Sequence, residues 1–346
     1  MVLPYQLGYR PRRSVVLVCL RHHEQRRSRP TGVVQLIART DLDPPEGAPA
    51  VLAALDVALV RARPDVVVLI AFEDPQDDAT AILGAAAELA ETHGAVVDRA
   101  VRVRDQDWCP VPGPRASGPE WQRLPAEADV PSVADYVLRG CSPVADREVL
   151  AQLFTSRRPL LRAAVAAEIA ERLCSGPGSV DAERAIELLG QVLRAEGMAL
   201  PGLDPSVLAD LALVLHEVLH RDAVLARTAP GVIRLSDVPP EVADRVVRLL
   251  PMLNEVDGGA CERLAVLSSH LPESAAAPLS TVCGYLAWWS GAGTLANLAI
   301  ARALECNPDH SMAMLVDRAL AHGVPPPGRQ PRADPPQLLS GPRPAA

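Results

Sequence analysis

VVVLIAF, residues Val66–Phe72, is the stretch that decides the fold of the first part of the chain. An unbroken apolar run rich in β-branched residues predicts a strand buried on both faces. Strand-like and helix-like segments lie on both sides of this run. The other predicted strands are Ser14–Leu20, Val33–Ala38 and Ala95–Val103, and the predicted helices are Ala50–Arg63 and Asp77–His93. This order predicts a mixed sheet with helices on at least one face.

The second part of the chain has a different pattern. Helical patterning dominates from Pro159 to Ala321, and the sheet is expected to end before Asp105, ahead of a long irregular loop at 105–131 that is dense in Pro and Gly. We therefore predict an α+β protein with a small mixed-sheet α/β domain at residues 1–155 and an all-α helical domain at 156–323. The Pro-, Gly- and Arg-rich residues 324–346 predict a disordered tail.

Composition excludes several classes of function. The formal net charge of −8 argues against a general nucleic-acid binder, because such affinity depends on neutralising phosphates. The chain has no lysine, which excludes Schiff-base, pyridoxal-linked and P-loop lysine chemistry. The odd number of cysteines and the lack of a C-x-x-C pair argue against a disulfide framework. Because no signal-peptide pattern is present at the start, we expect a cytoplasmic protein.

One apolar stretch has the length of a membrane span. Ser274–Ala301 carries no charged residue and is long enough to cross a bilayer. It contains Pro278, however, and the sequence SGAG at Ser290–Gly293 is typical of a turn. We therefore predict no membrane partner but an intramolecular hairpin of two helices, with Trp288 and Trp289 largely buried.

The sharpest catalytic motif is H-E-x-x-H at His216–His220. On one helix this spacing places two imidazoles a turn apart, able to share a zinc ion, with Glu217 as a general base. Asp204 and Pro205 predict where that helix begins. Against zinc, a buried stripe of Leu208, Leu211, Leu215 and Leu219 leaves both histidines on its flank. No third ligand follows at a typical spacing, and the downstream candidate is Glu255.

Acidic residues follow two of the predicted strands. They are Asp41, Asp43 and Glu46 after the second strand, and Glu73, Asp74, Asp77 and Asp78 after the third. Ligands favour the carboxyl ends of strands in open sheets that contain parallel strands, so a small-molecule or Mg²⁺ site is one interpretation. The preferred interpretation is structural, because carboxylates at helix starts interact favourably with the helix dipole. No Gly-rich phosphate loop follows a predicted strand.

Two other segments carry reactive or charged side chains. The basic run of Arg21, His22, His23, Arg26, Arg27 and Arg29 lacks interleaved aromatic residues, which favours a solvated hairpin turn over a nucleic-acid site. Cys109 stands beside Trp108 and is a candidate reactive thiol. A thiolate requires a base or a positive helix end nearby, and the sequence assigns neither.

Five segments form a pattern along the chain: LPYQLGYRPRRSVVLVCL at the start, ARTDL at Ala38–Leu42, WCPVPGP at Trp108–Pro114, Arg221-Asp222, and Leu286–Leu320. Together they resemble an actinobacterial family catalogued as domain of unknown function 4192, and Leu286–Leu320 is the most specific match. The pattern residues that this resemblance singles out, without a role, are Gly8, Asp41, Trp108, Arg221, Asp222, Trp288, Gly291, Gly293, Pro308 and His310. The family commonly has more than one cysteine in the loop where this chain has only Cys109, which argues against a metal there. The resemblance implies no known activity, substrate or cofactor.

Three functions are compatible with these observations. The preferred one is a non-enzymatic protein-interaction or regulatory module whose helical half binds a protein partner, without a cofactor, because no catalytic constellation is complete. One alternative is a zinc-dependent hydrolase that uses His216, Glu217 and His220. The other is a small-molecule binder at the loops that follow Asp41 and Phe72.

Overall fold

The computed structural model describes residues 2–22, 32–111, 120–138, 140–256 and 258–326. These residues form two compact units, one made of residues 2–3 and 11–134 and the other of residues 4–10 and 135–326. The α+β prediction is confirmed, with a mixed sheet in the first unit and helices throughout the second. The predicted disordered tail lies almost wholly outside the described residues, as does most of the basic run after Arg21.

The first unit is built on a six-stranded sheet of order β2-β1-β3-β4-β5-β6. The strands are β1 Ser14–His22, β2 Gly32–Asp41, β3 Val66–Phe72, β4 Val96–Arg104, β5 Asp107–Pro110 and β6 Gln122–Arg123. β1 is antiparallel to both of its neighbours, and β3 and β4 are parallel. The four predicted strands are confirmed, as is the predicted hairpin between the first two.

Two helices cover one face of this sheet. α2 Ala48–Ala62 connects β2 to β3, and α3 Thr80–Thr92 connects β3 to β4. Leu17 of β1 lies opposite Leu69 of β3, and both pack with Leu55 of α2 and Leu83 of α3 in one buried core. The apolar residues at alternate strand positions therefore place both helices on the same side of the sheet.

The expectation that the sheet ends before Asp105 is wrong. Asp105 has a φ of 49° in a tight turn, and β5 returns antiparallel to β4 with Trp108 opposite Val103 and Cys109 opposite Arg102. The short β6 then pairs with β5. The predicted irregular loop is thus in part sheet, because alternate residues of β5 find backbone partners on β4 despite the surrounding prolines. Residues 112–119 lie outside the described part.

The second unit is helical. No strand forms within the described part of residues 159–321, as predicted. The helices outside the sheet region are α1 Leu3–Leu7, α4 Pro131–Leu138, α5 Arg147–Gln152, α6 Pro159–Ser175, α7 Ala182–Arg194, α8 Pro205–His216, α9 Val218–Thr228, α10 Pro240–Leu249, α11 Ala260–Ser269, α12 Glu273–Ser290, α13 Gly293–Cys306 and α14 Ser311–Ala321.

The apolar stretch folds back on itself as the predicted hairpin of α12 and α13. Gly291 has a φ of 84° and ends α12, and the two helices approach closely at Gly284, where a Cβ would lie 2.6 Å from the Ile300 side chain. Trp288 is buried, whereas Trp289 is only partly buried. Within the described residues, no helix is both long enough and apolar enough to cross a bilayer.

Candidate functional site

A cleft of about 380 Å³ opens at the edge of the sheet where β2 and β3 end. We call it the carboxyl-edge cleft. Its lining residues are Arg13, Leu42, Asp43, Ala48, Leu52, Asp77, Asp78, Ala81, Ile82 and Ala85. The cleft lies at the loops that follow Asp41 and Phe72, where the sequence suggested a small-molecule site.

Strand topology explains why residues distant in sequence line one cleft. Because β1 lies between β2 and β3 and is antiparallel to both, those two strands end where β1 begins. Ser14, the first residue of β1, pairs with both Asp41 and Phe72. The residue before it, Arg13, therefore enters the cleft beside the loops that start α2 and α3.

Arg13 is the basic residue of the lining. Its φ of 38° lies in the left-handed region, which residues with a Cβ rarely adopt. Its carbonyl accepts a hydrogen bond from the Leu42 N–H at 2.8 Å, and its guanidinium lies 3.3 Å from the Asp77 carboxylate and 3.9 Å from that of Asp43. Such a backbone conformation persists only where surrounding contacts hold it, and it is frequent at ligand sites.

A buried carboxylate lies at the base of this edge. The Glu73 side chain is fully buried and receives Arg102 as a bidentate partner, with Nε 2.7 Å from Oε1 and Nη2 3.0 Å from Oε2. Arg104 donates from Nε to Oε2 at 2.9 Å, and the Ala79 N–H donates to Oε1 at 2.6 Å. Both oxygens of Glu73 are therefore held in one orientation between β4 and the start of α3.

The same two arginines fix the acidic rim of the cleft. Arg102 donates from Nη1 to Thr80 Oγ1 at 3.0 Å, and its Nη2 lies 3.2 Å from Asp78 Oδ1. Arg104 donates from Nη2 to the carbonyl of Asp77 at 2.6 Å. This network connects the buried Glu73 to the Asp78 carboxylate and to the Asp77 backbone in the lining of the cleft.

Aromatic and thiol side chains border the arginines. The Trp121 ring centroid lies 5.6 Å from Cζ of Arg102 and 4.6 Å from Cζ of Arg104, within cation–π distance. Cys109 is buried, and burial raises the pKa of its thiol although Arg102 opposes this. A protonated thiol is a poor nucleophile, so the reactive-thiol interpretation of Cys109 loses support. Its neighbour Trp108 is partly buried in β5.

Charge and polarity define what the cleft can hold. Hydrogen bonds from the hydroxyl and the N–H of Thr80 lower the pKa of Asp78, which is therefore ionised at neutral pH. Three carboxylates and one guanidinium line the rim, and leucine, isoleucine and alanine side chains form the floor. Within the described residues, no group of three His, Cys, Asp or Glu side chains is placed to hold a metal. The lining contains no His, Cys or Ser, so it offers no nucleophile of those types.

The expectation that H-E-x-x-H lies on one helix is wrong. α8 begins as predicted, with Asp204 accepting from the Ser206 N–H at 2.9 Å, but it ends at His216. Glu217 is extended, with a ψ of 119°, and the next helix starts at Val218. The two histidines therefore do not share one helical face, because the chain turns between them to bury the apolar side of α9.

The side chains of the motif have separate environments. His216 is exposed, and His220 Nε2 lies 3.3 Å from Arg245 Nη1. Leu219, expected in the buried stripe, is 50% exposed, because the helix break rotates it away from the core. Glu255 is exposed, and its carboxylate accepts the Met252 N–H at 2.9 Å. None of these contacts joins Glu255 to the histidines.

Part of the family pattern converges in the helical unit. Arg221 is 6% exposed and donates from Nε and Nη2 to Oδ1 of Asp222 at 3.0 and 2.8 Å. His310 precedes α14, where its Nδ1 accepts the Ala313 N–H at 3.3 Å and lies 3.4 Å from Thr281 Oγ1. Burial, Arg221 and His216 lower the pKa of His310, so its neutral form caps the helix.

The remaining pattern residues have structural positions. Gly8 has a φ of 81°, next to the bridge between Tyr9 and Val144. Asp41 ends β2 and pairs with Arg39 at 2.6 Å. The indole N–H of Trp288 donates to the Val324 carbonyl at 2.9 Å. Gly291 and Gly293 form the α12–α13 turn, and Pro308 lies between α13 and α14.

The pH dependence of the free energy of unfolding should reflect three histidines that folding removes from water. Burial lowers the pKa of His220, His270 and His310, so the folded state binds their protons less readily than the unfolded chain does. The contribution of these histidines to the free energy of unfolding is therefore fully present above pH 6.5, the pKa of histidine in the unfolded chain. It is lost as the pH falls below that value. Urea unfolding across this range should show the loss. His310→Asn keeps a helix-capping acceptor without the ionisation and should flatten the profile; an unchanged profile would contradict this role of His310.

Comparison with known proteins identifies a family. A family model described as Domain of unknown function (DUF4192) matches residues 1–327. No curated protein and no solved structure matches the chain.

Proposed function

Because the chain belongs to the DUF4192 family, whose description assigns no activity, we propose a function from its geometry. The protein is a non-enzymatic regulatory module whose α/β unit binds a small organic cation in the carboxyl-edge cleft. The observation that carries this proposal is the combination of an apolar floor with a rim rich in carboxylates.

The dimensions and lining of the cleft support a small ligand. Its volume lies within the roughly 300–1,000 Å³ typical of small-ligand pockets. Leu42, Leu52 and Ile82 are only partly covered and offer contacts to a hydrocarbon chain. Asp43 and Asp78 are 77% and 69% exposed and are available to an ammonium or guanidinium group. The ligand class that matches both parts is an amine with an apolar body.

The network beneath the cleft supports binding rather than catalysis. Glu73 binds both Arg102 and Arg104, and the two arginines contact residues 77–80, so they hold the Asp77 and Asp78 side of the rim in place and are not directed at a reacting group. A rim that is fixed before the ligand arrives loses less entropy on binding. Preorganisation of this kind favours recognition of one charge pattern.

Calorimetric titration of the full-length protein with cadaverine should show saturable binding, with a Kd at or below about 1 mM. The neutral analogue 1,5-pentanediol has the same chain length and should not bind. Leu52→Trp fills the floor and should abolish binding, whereas Val60→Trp, on the exposed side of α2, should not. Equal binding of the diamine and the diol, or equal affinities of the two tryptophan variants, would refute the proposal.

A second candidate function is protein interaction through the helical unit. It is favoured by one observation, the uncovered apolar side of α6, where Leu160 is 86% and Leu173 68% exposed. Exposed apolar surface on a helix is a feature of interaction sites. This role is independent of the cleft, because α6 belongs to the other compact unit.

A further inference from the structure

Helix α6 has two apolar sides and only one of them is buried. Val165 and Ile169 pack into the core of the helical unit. The other side, which we call the outer face of α6, consists of exposed residues without charge: Leu160, Ala163, Ala166, Ala167, Ala170, Leu173 and Cys174. A surface helix normally presents polar side chains to water, and one that is apolar on both sides is usually covered.

The spacing of the outer face is that of a helix-pairing seam. Leu160, Ala163, Ala167, Ala170 and Cys174 follow one another at alternating intervals of three and four residues. They form a stripe about 21 Å long at 1.5 Å per residue. The small alanine side chains at its centre allow another helix to approach closely.

The exposed charges beside this face have opposite signs at its two ends. Arg157 is exposed before the start of α6, and Glu171 is exposed near its end. Two other charged residues of the helix already have partners, since Arg162 pairs with Glu273 at 3.3 Å and Arg172 with Asp210 at 2.6 Å. An antiparallel copy of α6 would place Arg157 near Glu171 of its partner, whereas a parallel copy would place like charges together.

We propose that the outer face of α6 pairs with the same face of a second copy of this chain, antiparallel, about a twofold axis level with Val165. Leu160 then lies opposite Ala170 of the other copy, and Ala163 lies opposite its Ala167. A twofold interface of this kind is self-complementary in both its apolar stripe and its charges. The inference rests on the interaction role proposed above and names its partner. One helix pair buries less than the roughly 1,200 Å² of small specific complexes, so the dimer should dissociate in the micromolar range.

Sedimentation velocity of the full-length protein over a range of concentrations tests the pairing. The wild type should shift from monomer to dimer as concentration rises, and Ala167→Glu should weaken the dimer by more than about tenfold in Kd, or 1.4 kcal/mol. Ala53→Glu places the same charge on the exposed side of α2 and should change nothing. Arg157→Glu and Glu171→Arg should each weaken the dimer, and the double variant should restore it. Failure of the double variant to restore it would overturn the antiparallel arrangement.

Alkylation of Cys174 distinguishes two outcomes: that α6 does not form this dimer, and that its outer face binds no protein at all. The structure describes all seven cysteines of the chain. Cys174 is exposed, whereas the other six are buried or partly buried. Its labelling rate, followed by mass spectrometry, should fall as concentration rises. A monomer with rapid labelling at every concentration would overturn the pairing but leave the face free for another protein. A monomer with slow labelling would show that the chain covers its own face, which overturns both proposals.

Discussion

Glu73→Ala is expected to lower the free energy of unfolding by about 3–5 kcal/mol, because removal of Glu73 leaves the buried Arg102 guanidinium without its bidentate partner. The Arg102 side chain is 5% exposed and makes a bidentate pair with Glu73. Neither Thr80 nor the exposed Asp78 replaces that pair, since each contacts a single nitrogen of the guanidinium. Arg104 and the Ala79 N–H lose a partner in the same substitution.

Urea unfolding followed by circular dichroism gives the free energy in this test. Glu88→Ala removes an exposed carboxylate from the same region, on α3, and serves as the matched control. The control should change stability by less than about 0.5 kcal/mol. A Glu73→Ala protein as stable as the control would show that the network does not hold the edge of the sheet.

Arg263→Met should destabilise the helical unit by about 3 kcal/mol or more, because two buried carbonyls and that of Gly197 lose charged donors. Arg263 is 0% exposed and donates to the carbonyls of Val192 and Leu193 at 2.7 and 2.8 Å and to that of Gly197 at 2.7 Å. The first two carbonyls belong to the last turn of α7, where a cation also interacts favourably with the helix dipole. Methionine retains the apolar stem but satisfies none of these groups.

Thermal and urea unfolding of the Arg263→Met protein provide the measurement. Arg318→Met changes an exposed arginine of α14 and controls for the loss of one positive charge. Equal stabilities for the two variants would mean that water replaces Arg263 at the end of α7.

The sequence predicted those elements whose signal is local. Val66–Phe72 became β3 because a β-branched run favours a strand wherever the chain places it. The α12–α13 turn followed from Gly291, whose positive φ is accessible to glycine. In both cases the residues whose type favours a conformation are the same residues that adopt it in the structure.

The cleft was predicted only in position, because its contacts are long-range. Arg102 and Arg104 alternate with valines in β4, a pattern that also fits a strand with one solvated face. Only the register of β4 beside β3 turns Arg102 inward onto Glu73. Arg13 gave no sequence signal, since its position depends on the order of three strands.

The H-E-x-x-H motif shows the opposite error, in which a local pattern is overridden by packing. Every residue from His216 to His220 is compatible with a helix, yet the chain is extended at Glu217. The turn allows Ala223, Val224 and Leu225 of α9 to enter the core. Tertiary packing of that apolar segment outweighs the modest preference of five residues for a continuous helix.

Methyl NMR of the isoleucines, titrated with cadaverine, tests the central claim most directly. The chain has seven isoleucines, and Ile82 is the one that lines the carboxyl-edge cleft. We predict that the δ1 methyl resonance of Ile82 moves saturably, while those of Ile186 and Ile300, buried in the helical core, stay in place. An unmoved Ile82, or saturable shifts confined to the helical isoleucines, would contradict the assignment of the cleft as a cation-binding site.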